Sequence, residues 1–429
     1  MGTHPCPVEW HEGEVVRVLS PSEQRFVRHA TYTGRSVRVE GDLDTAVLDQ
    51  AFKALALEYP VLVCRIAEDD DGTGRLLRPS GAPVAASIAD GNTAEIRIPA
   101  DPVDPRTRLA YLDVTTSGAD HARVTLFAHH AVADARFCVE LFTRLWDHYT
   151  DRIESEATTV VPHDYPNSLE WYAADRGIAR GPHSGLEPAA RALTPAEQTV
   201  PADPATPAPP SLARPRRVVL DADTTARVVA HGSRTRVSVN GLVTAALLRA
   251  YIAETAGVTT TAHCLYPVDL RTRLEPPVQP AAGTNMAGLA CFSADIDPAA
   301  DLGDLGSRIS ARLRADLDSG LIAQSALHFP DYFGPHRTRS TAGHIAVTNT
   351  GRVPDFRVPP GLTLTDYEIL YLSAHPRPST GASAAVTFLV YTFGDHMTVG
   401  ILGGGAVADR LTEAVADHLR ALAVEPVGA

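Results

Sequence analysis

The chain has 429 residues, 44% of them hydrophobic and 21% charged, with a formal net charge of −13, the balance of a globular protein large enough for two domains. That charge argues against nucleic acid as a partner, because phosphate recognition needs clustered Lys and Arg, and Lys53 is the one lysine in the chain. No apolar run reaches the length of a bilayer span, residues 1–6 lack the basic-then-apolar order of a secretory signal, and Cys6, Cys64, Cys138, Cys264 and Cys291 show no metal-binding spacing; a cytoplasmic protein with reduced thiols, no membrane span and no metal is expected.

Ser20-Pro21-Ser22-Glu23 has the order of a capping box, with Ser20 as N-cap, Pro21 at the first helical position and Glu23 at the third. Ser36-Val37-Arg38-Val39-Glu40 alternates as a strand does, and Leu43, Val47, Leu48, Ala51, Phe52 and Leu55 then form an apolar helical stripe that ends near Pro60. Arg123-Val124-Thr125-Leu126-Phe127-Ala128 is short, apolar and partly β-branched, which predicts another strand. Beyond it, Val139, Leu141, Phe142, Leu145, Trp146 and Tyr149 recur at helical spacing with Glu140, Arg144 and Asp147 between them.

His129-His130-Ala131-Val132-Ala133-Asp134 lies between these two elements and sets His130 at a strand-to-helix turn. An imidazole held on such a rim can take a proton near neutral pH. Spacing alone leaves a second reading open, in which the histidines and Asp134 satisfy local backbone groups. Cys138 falls within the apolar helix and reads as an inert buried thiol.

The proline-rich run from Pro201 to Pro210 excludes both helix interior and central strand. It divides the chain into an N-terminal unit at 1–200, a crossover linker at 201–215 and a C-terminal unit at 216–429. Arg217-Val218-Val219-Leu220 then predicts a strand, and Ser238 with Leu242, Ala245, Leu247, Leu248 and Tyr251 a capped helix. Ala346-Val347-Thr348-Asn349 is a further strand, and residues 386–402 form a hairpin through Gly394-Asp395, closed by Gly403-Gly404-Gly405. No Lys-Ser/Thr follows those glycines, so they read as a strand end and not as a phosphate loop.

The His-His-x-x-x-Asp of residues 129–134 resembles the His-His-x-x-x-Asp-Gly motif of the chloramphenicol acetyltransferase and condensation-domain superfamily. Leu19-Ser20-Pro21-Ser22-Glu23, Tyr266-Pro267-Val268-Asp269-Leu270-Arg271 with Pro276-Pro277, Arg314-Ala315-Asp316-Leu317 and Gln324-Ser325-Ala326-Leu327-His328-Phe329 are similar to blocks of the mycobacterial polyketide-associated acyltransferases, so the likeness spans nearly the whole chain. The scarcity of Lys beside abundant Arg, Ala and Pro fits an actinobacterial, G+C-rich codon supply. One departure stands out: Ala135 occupies the place of the motif glycine.

The resemblance implies an α/β (α+β) fold of two chloramphenicol-acetyltransferase-like subdomains, each a mixed sheet with helices, and an active-site tunnel at their interface. It implies an O-acyltransferase of polyketide or lipid biosynthesis, with no bound cofactor. The donor is an acyl-CoA or an acyl-phosphopantetheine on an acyl carrier protein, and the acceptor a hydroxyl of a polyketide, lipid or glycolipid. In this pattern His130 takes the acceptor proton and returns it to the leaving thiolate, His129 supports it, and Asp134 pairs with an arginine, for which Arg271 is the candidate. No Gly-x-Ser-x-Gly elbow is present, so direct transfer in a ternary complex is expected. Asn349 is a candidate for positioning substrate or the oxyanion, beside its reading as a strand-end turn. Arg308, Arg312 and Arg314 are a candidate docking face for an acidic carrier protein or polyketide synthase, beside their reading as a solvated helix face. A monomer is expected. Two other readings stand alongside, an amide-forming condensation enzyme with an amine acceptor and a catalytically silent binding homologue, the latter motivated by Ala135.

Overall fold

The computed structural model describes residues 11–81, 83–155, 159–198, 208–255, 260–341, 345–376 and 385–424. Cys6 and residues 201–207 of the proline-rich run lie outside them. The two large sheets are built from β1 (Thr31–Glu40), β2 (Ser87–Asp90), β3 (Ala110–Ser117), β4 (His121–His129), β5 (Ser211–Ala213), β6 (Arg216–Val219), β7 (Thr261–Asp269), β8 (Ala287–Asp295), β9 (Ile345–Arg352), β10 (Thr363–Ser373), β11 (Val386–Phe393) and β12 (His396–Gly403). The first has the order β2-β3-β4-β1-β10-β5, the second β6-β12-β11-β9-β7-β8. Both are mixed: β2 and β3 run parallel in the first, and β9 runs parallel to both β7 and β11 in the second.

The helices follow from the apolar stripes. Helix α1 (Pro21–Gln24) begins with the expected capping box, in which Glu23 accepts from the Ser20 N–H at 2.8 Å. Helices α2 (Thr45–Glu58) and α3 (Ala135–Ile153) bury Leu48, Phe52, Leu55, Phe137, Phe142 and Trp146 against Val37, Val39, Val124 and Leu126 of the first sheet. Fully burying each such side chain contributes about 1.5–3 kcal/mol. Helices α4 (Ala222–Thr235), α5 (Val239–Glu254, capped by Ser238), α6 (Leu302–Asp318) and α7 (Ala408–Val424) belong to the second lobe, where Leu242, Leu248, Leu411 and Leu419 cover Val347, Phe388 and Ile401. A Cβ on Gly241 would collide with the Gly306 carbonyl and Ser310 Oγ, so this glycine sets how closely α5 and α6 cross.

Sheet membership cuts across chain order, which corrects the division into contiguous units 1–200 and 216–429. Strand β5, inside the expected linker, and β10, deep in the C-terminal half, both join the first sheet. Strand β10 runs antiparallel along β1 from Thr363 opposite Glu40 to Ser373 opposite Thr31. Without it, β1 would present a free edge ten residues long. The lobes also share core, since Leu389 and Tyr391 of β11 pack in the same cluster as Phe142, Trp146 and Tyr367.

Among the described residues, no helix is long and apolar enough to cross a membrane, and no group of three or more His, Cys, Asp or Glu is placed to hold a metal ion.

Candidate active site

His130 leaves the end of β4 in a turn tied down on every side. The His129 N–H donates to Leu109 O at 2.7 Å, the His130 N–H to Thr31 O at 2.7 Å, and the Val132 and Ala133 N–H groups donate back to His129 O at 3.0 and 3.2 Å. The imidazole is fixed as well. Its Nδ1 lies 3.0 Å from the Ala133 carbonyl oxygen; a carbonyl only accepts, so Nδ1 carries the proton and Nε2 presents its lone pair. Phe26 stacks on one side of the ring at 3.9 Å between centroids and 15° between planes, and Tyr371 of β10 lies nearly parallel at 5.8 Å. Burial, and then the nearby cation of Arg25, lowers His130 to about 3, so the ring is a neutral base over the working range of pH. Deep as it is, His130 keeps accessible surface, as do Arg25, Phe26 and Tyr371 around it.

His129 faces the other way. It is fully buried, accepts from the Ala131 N–H at Nδ1 (3.2 Å) and meets the Tyr32 ring edge-on at 4.9 Å. Burial followed by the His130 and His375 charges lowers it to about 3. It packs the strand end and does not share the accessible space of His130.

Asp134 is the N-cap of α3, with Oδ1 accepting from the Phe137 N–H at 3.0 Å. Its Oδ2 reaches across to the second lobe, accepting from Arg271 Nη1 at 2.6 Å and from the Met286 N–H at 2.9 Å. Burial raises the carboxyl, but Arg271 and these two N–H donors outweigh it and hold Asp134 below the usual carboxylate range. Arg271, 2% exposed, also donates to Gly283 O (2.8 Å), Thr284 O (3.0 Å) and Asp269 (3.2 Å). The expected Asp134–Arg271 pair is thus formed and joins the lobes.

Four segments distant in sequence complete the site. Asn285 donates from Nδ2 to the His130 carbonyl and accepts from Arg25 Nη2 at 3.0 Å. Thr284 donates to the buried Glu23 at 2.6 Å, and Glu23 in turn holds Arg17 at 2.6 Å. Arg25 lies 4.5 Å over the Phe26 ring. Arg35 of β1, 1% exposed, donates to Thr33 Oγ1 (2.8 Å), Gly34 O (3.0 Å) and Ala135 O (3.3 Å). Sequence reasoning found α1 through its capping box but missed Arg25, Phe26, Arg35, Asn285 and Tyr371, whose partners are far away along the chain. The pattern Ser-Pro-Ser-Glu followed by Gln24-Arg25-Phe26 was the available signal for two of them.

Ala135 is the first residue of α3 and is not among the positive-φ residues. The turn therefore needs no glycine, and the methyl does not disturb the His130–Asp134 geometry.

Asn349 is not brought to this cluster. It is exposed, with Oδ1 accepting from the Gly351 N–H at 2.8 Å and Nδ2 donating to Asn240 at 3.0 Å, the bonding of a bulge within β9, where the register against β11 shifts between Asn349 and Gly351, and not of a strand-end turn. Arg308, Arg312 and Arg314 are exposed on α6, but they do not make one basic face: Arg312 pairs with Asp316 at 2.9 Å, Arg314 lies two residues from Arg312 and so on another side, and Asp304 and Asp318 share the helix. Cys64, Cys138, Cys264 and Cys291 are buried and free, and burial raises Cys138 to about 11, which removes it as a nucleophile.

Residues 209–402 match the family model described as phthiocerol/phthiodiolone dimycocerosyl transferase C-terminus. The phthiocerol/phthiodiolone dimycocerosyl transferase of Mycobacterium tuberculosis is 33% identical over 367 residues, 82% of this chain and 85% of the relative. That of Mycobacterium leprae is 30% identical over 373 residues, 83% of this chain and 86% of the relative. Among solved structures, polyketide synthase associated protein 5 from Mycobacterium tuberculosis superposes with a TM-score of 0.79 at 27% identity, covering 96% of this chain and 99% of that one. The first condensation domain of the CDA synthetase gives 0.63 at 17% identity over 96% and 97%, a likeness of fold alone.

Proposed function

This chain belongs to the phthiocerol/phthiodiolone dimycocerosyl transferase family and is an acyltransferase, and we propose that it moves an acyl group from a thioester to a hydroxyl of a polyketide, lipid or glycolipid, with His130 as general base. The observation that carries this reading is the imidazole itself: Nδ1 is bound to a backbone carbonyl, so Nε2 keeps its lone pair, on a residue that retains accessible surface where the two lobes meet. The relatives' names carry a phthiocerol or phthiodiolone acceptor, and a hydroxylated acceptor here follows from that likeness.

In the proposed reaction both substrates are bound together. The acceptor hydroxyl gives its proton to His130 Nε2 as its oxygen attacks the thioester carbonyl carbon. The tetrahedral intermediate collapses with cleavage of the C–S bond, and the thiolate takes the proton back. Phe26 and Tyr371 fix the plane of the ring, Asn285 and the Ala133 carbonyl fix its position, and the Asp134–Arg271 pair holds the turn that carries it. The donor is an acyl-CoA or an acyl group on a carrier-protein phosphopantetheine, both of which offer the same reacting atoms.

Incubating the protein with long-chain acyl-CoA or acyl-carrier thioesters and paired alcohol and amine acceptors of one carbon skeleton tests this. Mass spectrometry should show ester and free thiol; amide as the main product would transfer the assignment to the condensation branch.

A further inference from the structure

The tetrahedral intermediate carries a negative oxygen, and nothing described so far receives it. The groups beside His130 are informative here. Tyr371 lies on β10 with its ring 5.8 Å from the imidazole and inclined by 24°. Its hydroxyl makes no hydrogen bond to any of the described residues, although the ring is deep and only partly accessible. Tyr32 on the neighbouring strand β1 donates to Arg108 O at 3.1 Å, and Tyr391 of β11 in the second sheet donates to Tyr367 O at 2.9 Å, whereas the Tyr367 hydroxyl on β10 is buried without a partner among the described residues. The Tyr371 hydroxyl is not among the buried orphaned atoms, so it remains available to a bound molecule.

A second, independent observation concerns charge. Tyr371 is within electrostatic reach of both Arg35 and Arg25. Arg35 is 1% exposed, and its hydrogen bonds go to one hydroxyl and two backbone carbonyls, with no carboxylate among them and with Nε unpartnered. Arg25 likewise bonds the neutral Asn285 amide and leaves Nε unpartnered; burial draws it down to about 10. Two cations with no hydrogen-bonded carboxylate lie within electrostatic reach of this phenol, although Asp134 also acts on both, a field suited to developing negative charge.

We propose that Tyr371 is a catalytic residue whose hydroxyl donates to the thioester carbonyl oxygen and holds the tetrahedral oxyanion, in the field of Arg25 and Arg35. The inference rests on His130-dependent acyl transfer at this site. As the acceptor oxygen bonds to the carbonyl carbon and its proton passes to His130 Nε2, the C=O π pair moves onto the carbonyl oxygen, where Tyr371 donates to it. When the pair returns and the C–S bond breaks, the Tyr371 bond weakens again, so the hydroxyl stabilises the intermediate more than either ground state.

Tyr371→Phe removes the hydroxyl and keeps the ring that packs beside His130. Steady-state kinetics of wild type, Tyr371→Phe and His130→Ala with one acyl thioester and one alcohol decide the matter. Tyr371→Phe is expected to lose on the order of 10²-fold in kcat, with the KM for thioester within a few-fold and Tm unchanged. A purely packing residue would move neither constant in this variant. If His130→Ala is inactive and Tyr371→Phe keeps the wild-type kcat, the Tyr371 assignment is wrong and the His130 reading stands. If His130→Ala keeps the wild-type rate, the His130 reading fails and this inference falls with it.

Discussion

A neutral imidazole held between aromatic rings is a base whose protonation is suppressed by its surroundings, and this has a thermodynamic consequence. His129 and His130 are lowered from 6.5 to about 3 in the fold, by burial in both cases and additionally by Arg25 at His130. The unfolded chain therefore binds protons below pH 6.5 that the native chain refuses. Stability is fully present above about pH 6.5 and is lost as pH falls from there toward about 3, at about 1.4 kcal/mol per pH unit for each histidine. Denaturant unfolding of wild type and His130→Ala across pH 7 to 4 should show a smaller acid slope in the variant, by close to one proton. Equal slopes would mean that His130 is not desolvated as described. His130 was visible in the sequence because its motif is local. Phe26, Asn285 and Tyr371 were not, because a stacking ring or an amide bonded to the His130 carbonyl from 155 residues away leaves no periodic trace.

At the scale of elements, the site depends on a line of buried polar groups that begins at a helix cap and ends at another. Glu23 completes the capping box of α1 and accepts from Thr284 Oγ1, Thr284 O accepts from Arg271, and Arg271 donates to Asp134, the N-cap of α3. The capping box was legible in Ser20-Pro21-Ser22-Glu23 because it spans three residues, whereas the Glu23–Thr284 bond spans 261 and joins the lobes. Removing one end of such a pair leaves a buried charge unpaired, which costs about 3–5 kcal/mol. Arg271→Ala should lower stability by that amount in denaturant titrations, and Asp134→Ala by less, since Arg271 keeps Asp269 at 3.2 Å; both should reduce turnover more than they raise the KM for thioester. The double variant should lose less than the sum of the two. Full additivity would show that the pair is not coupled.

At the scale of the whole molecule, the two lobes and the mixed sheets were legible, and the exchange of β10 was not. Its apolar residues Ile369, Leu370 and Leu372 suit either sheet, so the choice is made by the pairing of nine of its residues with β1 and not by composition. The crossing is reinforced by ions: Glu368 and Asp366 of β10 hold Arg123 of β4 together with Arg214 and Arg217 beside the crossover. On the outer surface, Arg308 and Arg314 are the residues of α6 to test for carrier docking, since Arg312 is already paired with Asp316. If a carrier protein docks there, Arg308→Glu with Arg314→Glu should raise the KM for an acyl-carrier donor roughly tenfold and leave the KM for acyl-CoA unchanged. An acyl-carrier KM unchanged by the two substitutions would place carrier docking elsewhere.

The central claim is that His130 Nε2 takes the acceptor proton at the junction of the lobes, and single-turnover thiol release from an acyl thioester, with and without alcohol, tests it most directly. Wild type should release thiol in one alcohol-dependent phase, and His130→Ala, folded to the same Tm, should be slower by about 10²–10⁴-fold. Equal rates in the two proteins would contradict the account.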